Sequence, residues 1–429
     1  MKKAVFLVIC LALLFTVRSM AQETEKDFGI KISGYVKNDF FFDTRQTVAA
    51  REGHFLLWPS AQNLDANGLD INAKPSFNFL AIQSRLSLAI TGPDAFGAKT
   101  SGLIEGDFFA QLDANINLFR LRHALVKLKW THTELLTGQY WNPLFVTGCF
   151  PGTVSFNTGA PLQSFARNPQ IRLTQDIGRI QIIAAALAQR DYTSRGPSPT
   201  DNATTAVSAE YLRNSLIPDL HFQVHYSAKN EENGTAILVG TGVAYKSIVP
   251  RLYSTVGNDK FAVNERVGGI TALAFTKLTL KPVTIKLEGR YGENIADVLS
   301  ISGFAIKNVE NPLTGLCSYT PLKNASFWGE VHSNGKKLQV GVFGGYMKNL
   351  GTKEAMSSST NTVYGLATNI ESLIRVSPRI IFYSGKTQLA CELEYTSAAY
   401  GSEYDVNYRP AATTRVANIR ALLSVLYSF

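Results

Sequence analysis

The last fifteen residues, from Arg415 to Phe429, alternate with a period of two. Counting back from the end, Phe429, Tyr427, Val425, Leu423, Ala421, Ile419 and Ala417 share one parity, and all are apolar. Ser428, Leu426, Ser424, Leu422, Arg420 and Asn418 share the other, which is mixed. Successive side chains of a strand point to opposite faces, so one face is greasy and the other admits charge. A soluble sandwich would turn the greasy face inward. A closed barrel in lipid would turn it outward and leave the mixed face on a wet lumen. This stretch alone fits both.

The amino end separates them. Lys2 and Lys3 precede an apolar core over 4–17, and Ser19-Met20-Ala21 offers a small-x-small cleavage site. Residues 1–21 therefore read as a secretory signal peptide, with the mature chain beginning near Gln22. Cys10 lies inside that core, which argues against a lipid anchor at the junction. No later stretch approaches the roughly 18 apolar residues of a spanning helix, so any membrane crossing must use strands closed into a barrel. Phe429 as the final residue then resembles the terminal signal read by the barrel assembly machinery. The net charge of +9 falls to +6 once Lys2, Lys3 and Arg18 leave. An exported chain meets little nucleic acid, and cations spread singly through strands suit an anion-attracting lumen. Beyond Cys10 remain Cys149, Cys317 and Cys391. Cys391 shares parity with Leu389 and Leu393 and is expected to face lipid, while Cys149 and Cys317 are a candidate pair in an oxidising compartment. No spacing resembles a zinc or redox site, and no cofactor is expected.

The alternation recurs along the chain. Residues 30–43 place Ile30, Ile32, Val36, Phe40 and Phe42 opposite Lys31, Lys37, Asp39 and Asp43. Over 77–91, Leu80, Ile82, Leu86, Leu88 and Ile90 are expected on one face, with Gln83, Arg85 and Ser87 on the other. Glu105 and Asp107 mark the polar face of 99–109, and Lys127 and Lys129 that of 119–131. Later strands set Lys286, Glu288 and Arg290, then Glu392 and Glu394, against apolar partners. Tight turns at Ile177-Gly178-Arg179, Asn334-Gly335 and Gly385-Lys386 alternate with long connections. Short turns at one end and long loops at the other are a barrel's layout. About seventeen segments can be counted, but single-chain bacterial barrels have even numbers. The expected fold is an all-β, transmembrane antiparallel barrel of sixteen strands over 30–429, with eighteen as the fallback. The long irregular segment 141–168 is the third long loop, expected to fold inward as a constriction.

The runs Lys31-Ile32-Ser33-Gly34-Tyr35-Val36-Lys37-Asn38-Asp39, Ser84-Arg85-Leu86 and Phe119-Arg120-Leu121-Arg122-His123-Ala124 resemble the DcaP-like outer-membrane porins. So do Gly138-Gln139-Tyr140-Trp141, Asn168-Pro169-Gln170-Ile171-Arg172 and Gly289-Arg290-Tyr291-Gly292-Glu293-Asn294. The resemblance implies a sixteen-stranded homotrimer in the bacterial outer membrane, passing small anionic solutes with carboxylates among them. Characterised members carry a coiled-coil extension before the barrel, whereas residues 22–29 show no heptad.

A porin performs no chemistry; its lining sets width and field. The expected lining is Arg85, Arg122, Lys127, Arg172, Arg290 and Arg420, with Asp39, Glu105 and Asp107 as lumen acids. A cation on the lipid face would cost about 2–4 kcal/mol near the midplane. An arginine ladder of Arg85, Arg122, Arg172 and Arg290 is expected to face acids on the inner edge of the third loop, where forked guanidiniums bind carboxylates at two points. The bland alternative pairs each arginine with a wall acid as a brace. Rival functions are a structural or adhesive barrel without transport and an outer-membrane hydrolase. None of the histidines His54, His123, His132, His221, His225 and His332 sits in a nucleophile motif, and His221 and His225 are not strand neighbours.

Overall fold

The computed structural model describes residues 28–200 and 204–429. The expected signal peptide, residues 1–21, and residues 22–27 lie outside them. Sixteen strands of the described residues close into one antiparallel barrel. They are β1 Gly29–Asp43, β2 in two pieces (Ser76–Leu80 and Arg85–Thr91), β3 Lys99–Asp107, β4 Arg120–Lys129, β5 Thr133–Trp141, β6 Arg167–Ile177, β7 Ile180–Leu187 and β8 Asp219–Asn230. They continue as β9 Thr235–Ile248, β10 Val267–Thr279, β11 Val283–Glu293, β12 Leu316–Ser333, β13 Leu338–Thr352, β14 Ile370–Ser384, β15 Thr387–Tyr404 and β16 Pro410–Ser428. Closure is made by β1, which pairs with β2 on one side and β16 on the other, Tyr35 opposite Ser428 and Asp43 opposite Arg420. Among the described residues, the barrel sheet closes on itself and leaves no edge of its own to template pairing.

The alternation determines which face meets lipid. On β1, Ile30, Ile32, Val36 and Phe42 are exposed, while Lys37, Asp39 and Asp43 are buried. On β16, Ile419, Leu423 and Tyr427 are exposed, and Asn418, Arg420 and Ser424 are buried. Turns at one end are tight: Gly178, at φ +61°, lets β6 and β7 join directly, Ile177 opposite Ile180. The other end carries the long loops.

The wall is uneven. Strands β3 to β7 have 9, 10, 9, 11 and 8 residues. Strands β12 to β16 have 18, 15, 15, 18 and 19. At about 3.4 Å per residue this makes a short wall and a tall one. A hairpin in the first loop (Thr47–Ala50 with Phe55–Pro59) and a ribbon, Ser302–Asn311 between the top of β12 and Val363–Leu366, build up the loop end.

Two expectations are corrected by the fold. Strand β2 is broken at 81–84, so its parity slips by one: Phe77 and Phe79 face out together with Leu86, whereas Ile82 is buried and Leu80 half-buried. A bulge puts one extra residue on one strand and turns every later side chain over. A second slip, between Glu105 and Gly106 against β4, lets the adjacent Arg122 and His123 both face inward, as expected of each. The cysteines do not pair. Cys149 is buried with its thiol toward the Thr276 carbonyl, and Cys317 lies in β12. A packed aromatic core lies inside the barrel. Phe55, Phe109, Phe145, Phe156 and Phe165 come from the first three long loops and meet wall residues such as Trp328, Phe343 and Met347.

Candidate functional site

The third long loop, residues 142–166, connects β5 to β6 and lies inside the barrel, where most of its residues are buried. Its aromatic residues supply the apolar part of the contact: Phe156 stacks on Phe109 at 4.0 Å and Phe145 on Trp141 at 3.9 Å between ring centroids. A buried irregular segment must also satisfy its backbone polar groups. The tall wall does this with charge. Glu392 on β15 accepts hydrogen bonds from the backbone N–H of Val154 at 2.6 Å and of Ser155 at 3.2 Å. Glu330 on β12 accepts from the Gly152 N–H, and Glu394 accepts from the Asn157 amide at 2.8 Å.

Cations from the same sector take the carbonyls. Lys286 donates to Phe150 O at 2.9 Å, Lys37 to Val154 O at 2.9 Å, and Arg375 to Ala160 O. Arg375 reaches the first loop as well, donating to Leu57 O at 2.6 Å, and lies 3.3 Å from Glu394. The seat is tight: Gly159 has φ +82°, and a Cβ there would sit 2.9 Å from both Phe343 and Pro151.

The loop segment 142–166 contains no Asp or Glu, so the expected ladder of arginines facing loop acids does not form. The carboxylates stand on the wall and hold the loop's N–H groups, while the arginines meet oxygens. Arg290, on β11, bonds Ser164, Ser300 Oγ at 2.9 Å and Pro161 O at 3.4 Å. It shares none of these partners with Arg85, Arg122 or Arg172. Arg85 lies against Asp107 at 2.9 Å and Glu105 at 3.1 Å. Arg122 shares Asp107 at 2.7 Å and donates to Phe109 O at 3.0 Å. Arg420 forks onto Asp43 at 3.0 and 2.6 Å and donates to Gly53 O at 2.7 Å. Asp39 is held between Lys37 at 3.1 Å and His54 at 2.7 Å.

Two of the expected lining residues face open space. A cavity of about 300 Å³ lies between the third loop and the short wall, with Lys127, Lys129, Glu134, Tyr140, Arg172 and His225 in its lining. Lys127 stands 3.4 Å from Glu134, and Lys129 reaches Asp176 at 2.9 Å. Arg172 is different. It donates to Gln170 Oε1 at 2.9 Å and Trp141 O at 2.7 Å, both neutral, and lies 5.2 Å from the Tyr140 ring centre. A guanidinium held only by neutral oxygens keeps its positive field for what enters. Parity had marked Arg172; it had also placed Glu392 and Glu394 inward without giving them a role. Arg375, Arg379 and Glu330 were missed, although strand alternation was enough to find them.

Near the loop end of the short wall a second cavity, of about 320 Å³, is lined by Arg120, Gln139, Arg190 and Asp191 among others. Asp191, in the fourth loop, pairs with Arg120 and accepts from the Arg167 backbone N–H at 3.2 Å. Burial alone would raise its carboxyl pKa, but the surrounding guanidiniums of Arg120, Arg167, Arg122 and Arg51 hold it below the ordinary carboxylate value.

No protein-family model matches the sequence, and no curated protein does. Solved structures do match it in shape. The DcaP outer-membrane channel of Acinetobacter baumannii superposes with a TM-score of 0.65, over 96% of this chain and 99% of that one, at 15% identity. The fold is that of the DcaP channel. An anion-selective porin from Comamonas acidovorans matches at 0.51 over 94% and 100% of the two chains, with 11% identity. A trimer form of Vibrio cholerae OmpT matches at 0.52 over 94% and 100%, also with 11% identity. At these identities the likeness establishes the architecture. The fold is thus that of an outer-membrane β-barrel, with an apolar band around its outer face.

Proposed function

We propose that this DcaP-like barrel is a passive channel for small anions, carboxylates among them, and that they pass along the short wall. One observation carries the reading: Lys127, Lys129 and Arg172 line a cavity with Glu134, and both polar contacts of Arg172 are neutral. Among the described residues, Arg85, Arg122, Arg375, Arg420, Lys37 and Lys286 are taken up instead by carboxylates or by loop carbonyls. Of the expected lining, Arg172 and Lys127 therefore conduct, whereas Arg85, Arg122, Arg290, Arg420, Asp39, Glu105 and Asp107 brace the wall and loops.

The test is reversal potential in a planar bilayer under a salt gradient. The wild type should prefer anions, and Lys127→Gln with Arg172→Gln should lower the anion-to-cation permeability ratio by roughly threefold or more. An unchanged ratio would remove these residues from the path. The aromatic core supports one rival, a barrel that passes nothing; a silent bilayer with correctly folded protein would establish it.

The reading extends to assembly. A low wall with exposed Phe108, Leu118, Phe119 and Leu121 at its loop end suits packing of three copies around that side, the remaining apolar face meeting outer-membrane lipid. Phe429, exposed at the end of β16, is the residue offered to the assembly machinery. Native mass spectrometry would read the copy number, and deletion of Phe429 should reduce the amount of barrel reaching the membrane.

A further inference from the structure

The outward face of the tall wall changes character at its loop end. One hydrogen-bonded row crosses it from β12 to β16, through Ala325, Lys348, Ser372, Ala399 and Arg415. Lys348 continues the outward parity of Val342 and Tyr346, and its side chain is 48% exposed. Arg415 continues that of Ile419 and is itself exposed. Its guanidinium spans two strands, donating to Ser397 Oγ at 3.2 Å on β15 and Ser372 Oγ at 3.1 Å on β14. Lys323 stands on β12 in the outward parity of Phe327, two residues from the row. Against these three cations the row has Glu371, 3.2 Å from Lys348. Lys353, beyond them, is paired with Glu293 at 3.1 Å. Immediately toward the membrane the same strands expose Tyr346, Val376, Tyr395 and Ile419.

We propose that this rim, Lys323, Lys348 and Arg415, binds the phosphorylated headgroups of lipid in the outer leaflet. The inference rests on the outer-membrane setting and is independent of what the lumen passes. An excess of cations on a lipid-facing surface has no use in the hydrocarbon, where each would cost about 2–4 kcal/mol near the midplane. At the edge of the apolar band, beside interfacial tyrosines, such cations meet headgroups. Tyr346, Tyr395 and Ile419 take the upper acyl chains while the three cations straddle phosphate oxygens, Arg415 presenting a forked donor. A second copy of the chain fits less well, because the rim's outward acids, Glu371 and Glu293, are already occupied by its own lysines.

The test is a native mass-spectrometric titration of the folded barrel with diphosphorylated lipid A, and separately with inorganic phosphate. Each cation near an anionic surface contributes roughly fivefold, so Lys323→Gln, Lys348→Gln and Arg415→Gln together should weaken lipid A binding about a hundredfold. Added salt should weaken the wild type. Lys348→Arg with Arg415→Lys should stay within about threefold of wild type, since charge is kept. Folding is checked by heat-modifiable gel migration; should the triple variant not fold, Lys348→Gln alone carries the test with its roughly fivefold loss. The proposal is overturned if the triple variant binds lipid A as the wild type does. It is equally overturned if inorganic phosphate displaces lipid A at matched phosphate concentration, or if the triple variant changes the number of barrels per particle instead of lipid binding.

Discussion

The two walls carry similar charged residues and use them in opposite ways. On the tall wall and the adjoining β11, Arg375, Lys286, Glu330 and Glu392 are spent on the third loop's backbone, cations on its carbonyls and carboxylates on its N–H groups, while Glu394 holds the Asn157 side-chain amide. On the short wall Lys127, Lys129 and Arg172 border the cavity the loop leaves behind. An arginine facing the lumen is therefore not yet an arginine lining a pore. Whether a main-chain oxygen reaches it first decides the matter, because a buried loop must satisfy its backbone whatever else it does.

The comparison breaks first, if it breaks, at Arg375. Arg375→Ala should cost about 3–5 kcal/mol in urea unfolding, since it strands the Glu394 carboxylate and frees carbonyls of two loops. Arg172→Gln should cost less, about 1.5–3 kcal/mol, since it removes charge-assisted hydrogen bonds but leaves no charged partner stranded. Equal costs would erase the distinction between clamp and lining.

A smaller effect sharpens it. Glu392→Gln weakens the charged acceptor for Val154 and Ser155, a loss of about 1.5–3 kcal/mol, and should let the third loop breathe. Cys149, buried within that loop, then becomes reactive: labelling by a water-soluble maleimide should accelerate by tenfold or more over wild type. The same reagent should label Lys127→Gln no faster than wild type.

The weakest effect concerns pH at the fourth loop. Asp191 has a depressed folded-state pKa, so its contribution is present above the ordinary carboxylate value of about 3.9 and is lost only as pH falls through the lower folded one. Proteolysis of residues 188–218 should be unchanged between pH 7 and pH 5 and rise below about pH 3.5. A rise already at pH 5 would mean that Arg120 and Arg167 do not hold that carboxylate.

Much of this was open to reading before any coordinates. The alternation in 30–43, in 283–291 and in 389–396 placed Lys37, Lys286, Glu288, Arg290, Glu392 and Glu394 on the inner face, where they are found. It went astray at 81–84, where a broken strand turned Leu80 and Ile82 over; a bulge at Arg122 also brought two neighbours inside, Arg122 being expected there. Neither slip has a local signature, because a bulge is chosen by register with the partner strand.

Strand parity and the closing rule for a sheet in lipid act on neighbours along the chain. The sequence alone was thus enough to specify an even-stranded barrel with its charges inward and its grease outward. Which of those charges remain open to a solute was settled by the third loop and the aromatic cluster beneath it. Those contacts join Arg375 to Leu57 and Ala160, and Val154 to Glu392, across most of the chain's length. A one-dimensional pattern carries the period of side chains but not the path of a loop that folds back through the interior, so only the tertiary structure could separate clamp from lining.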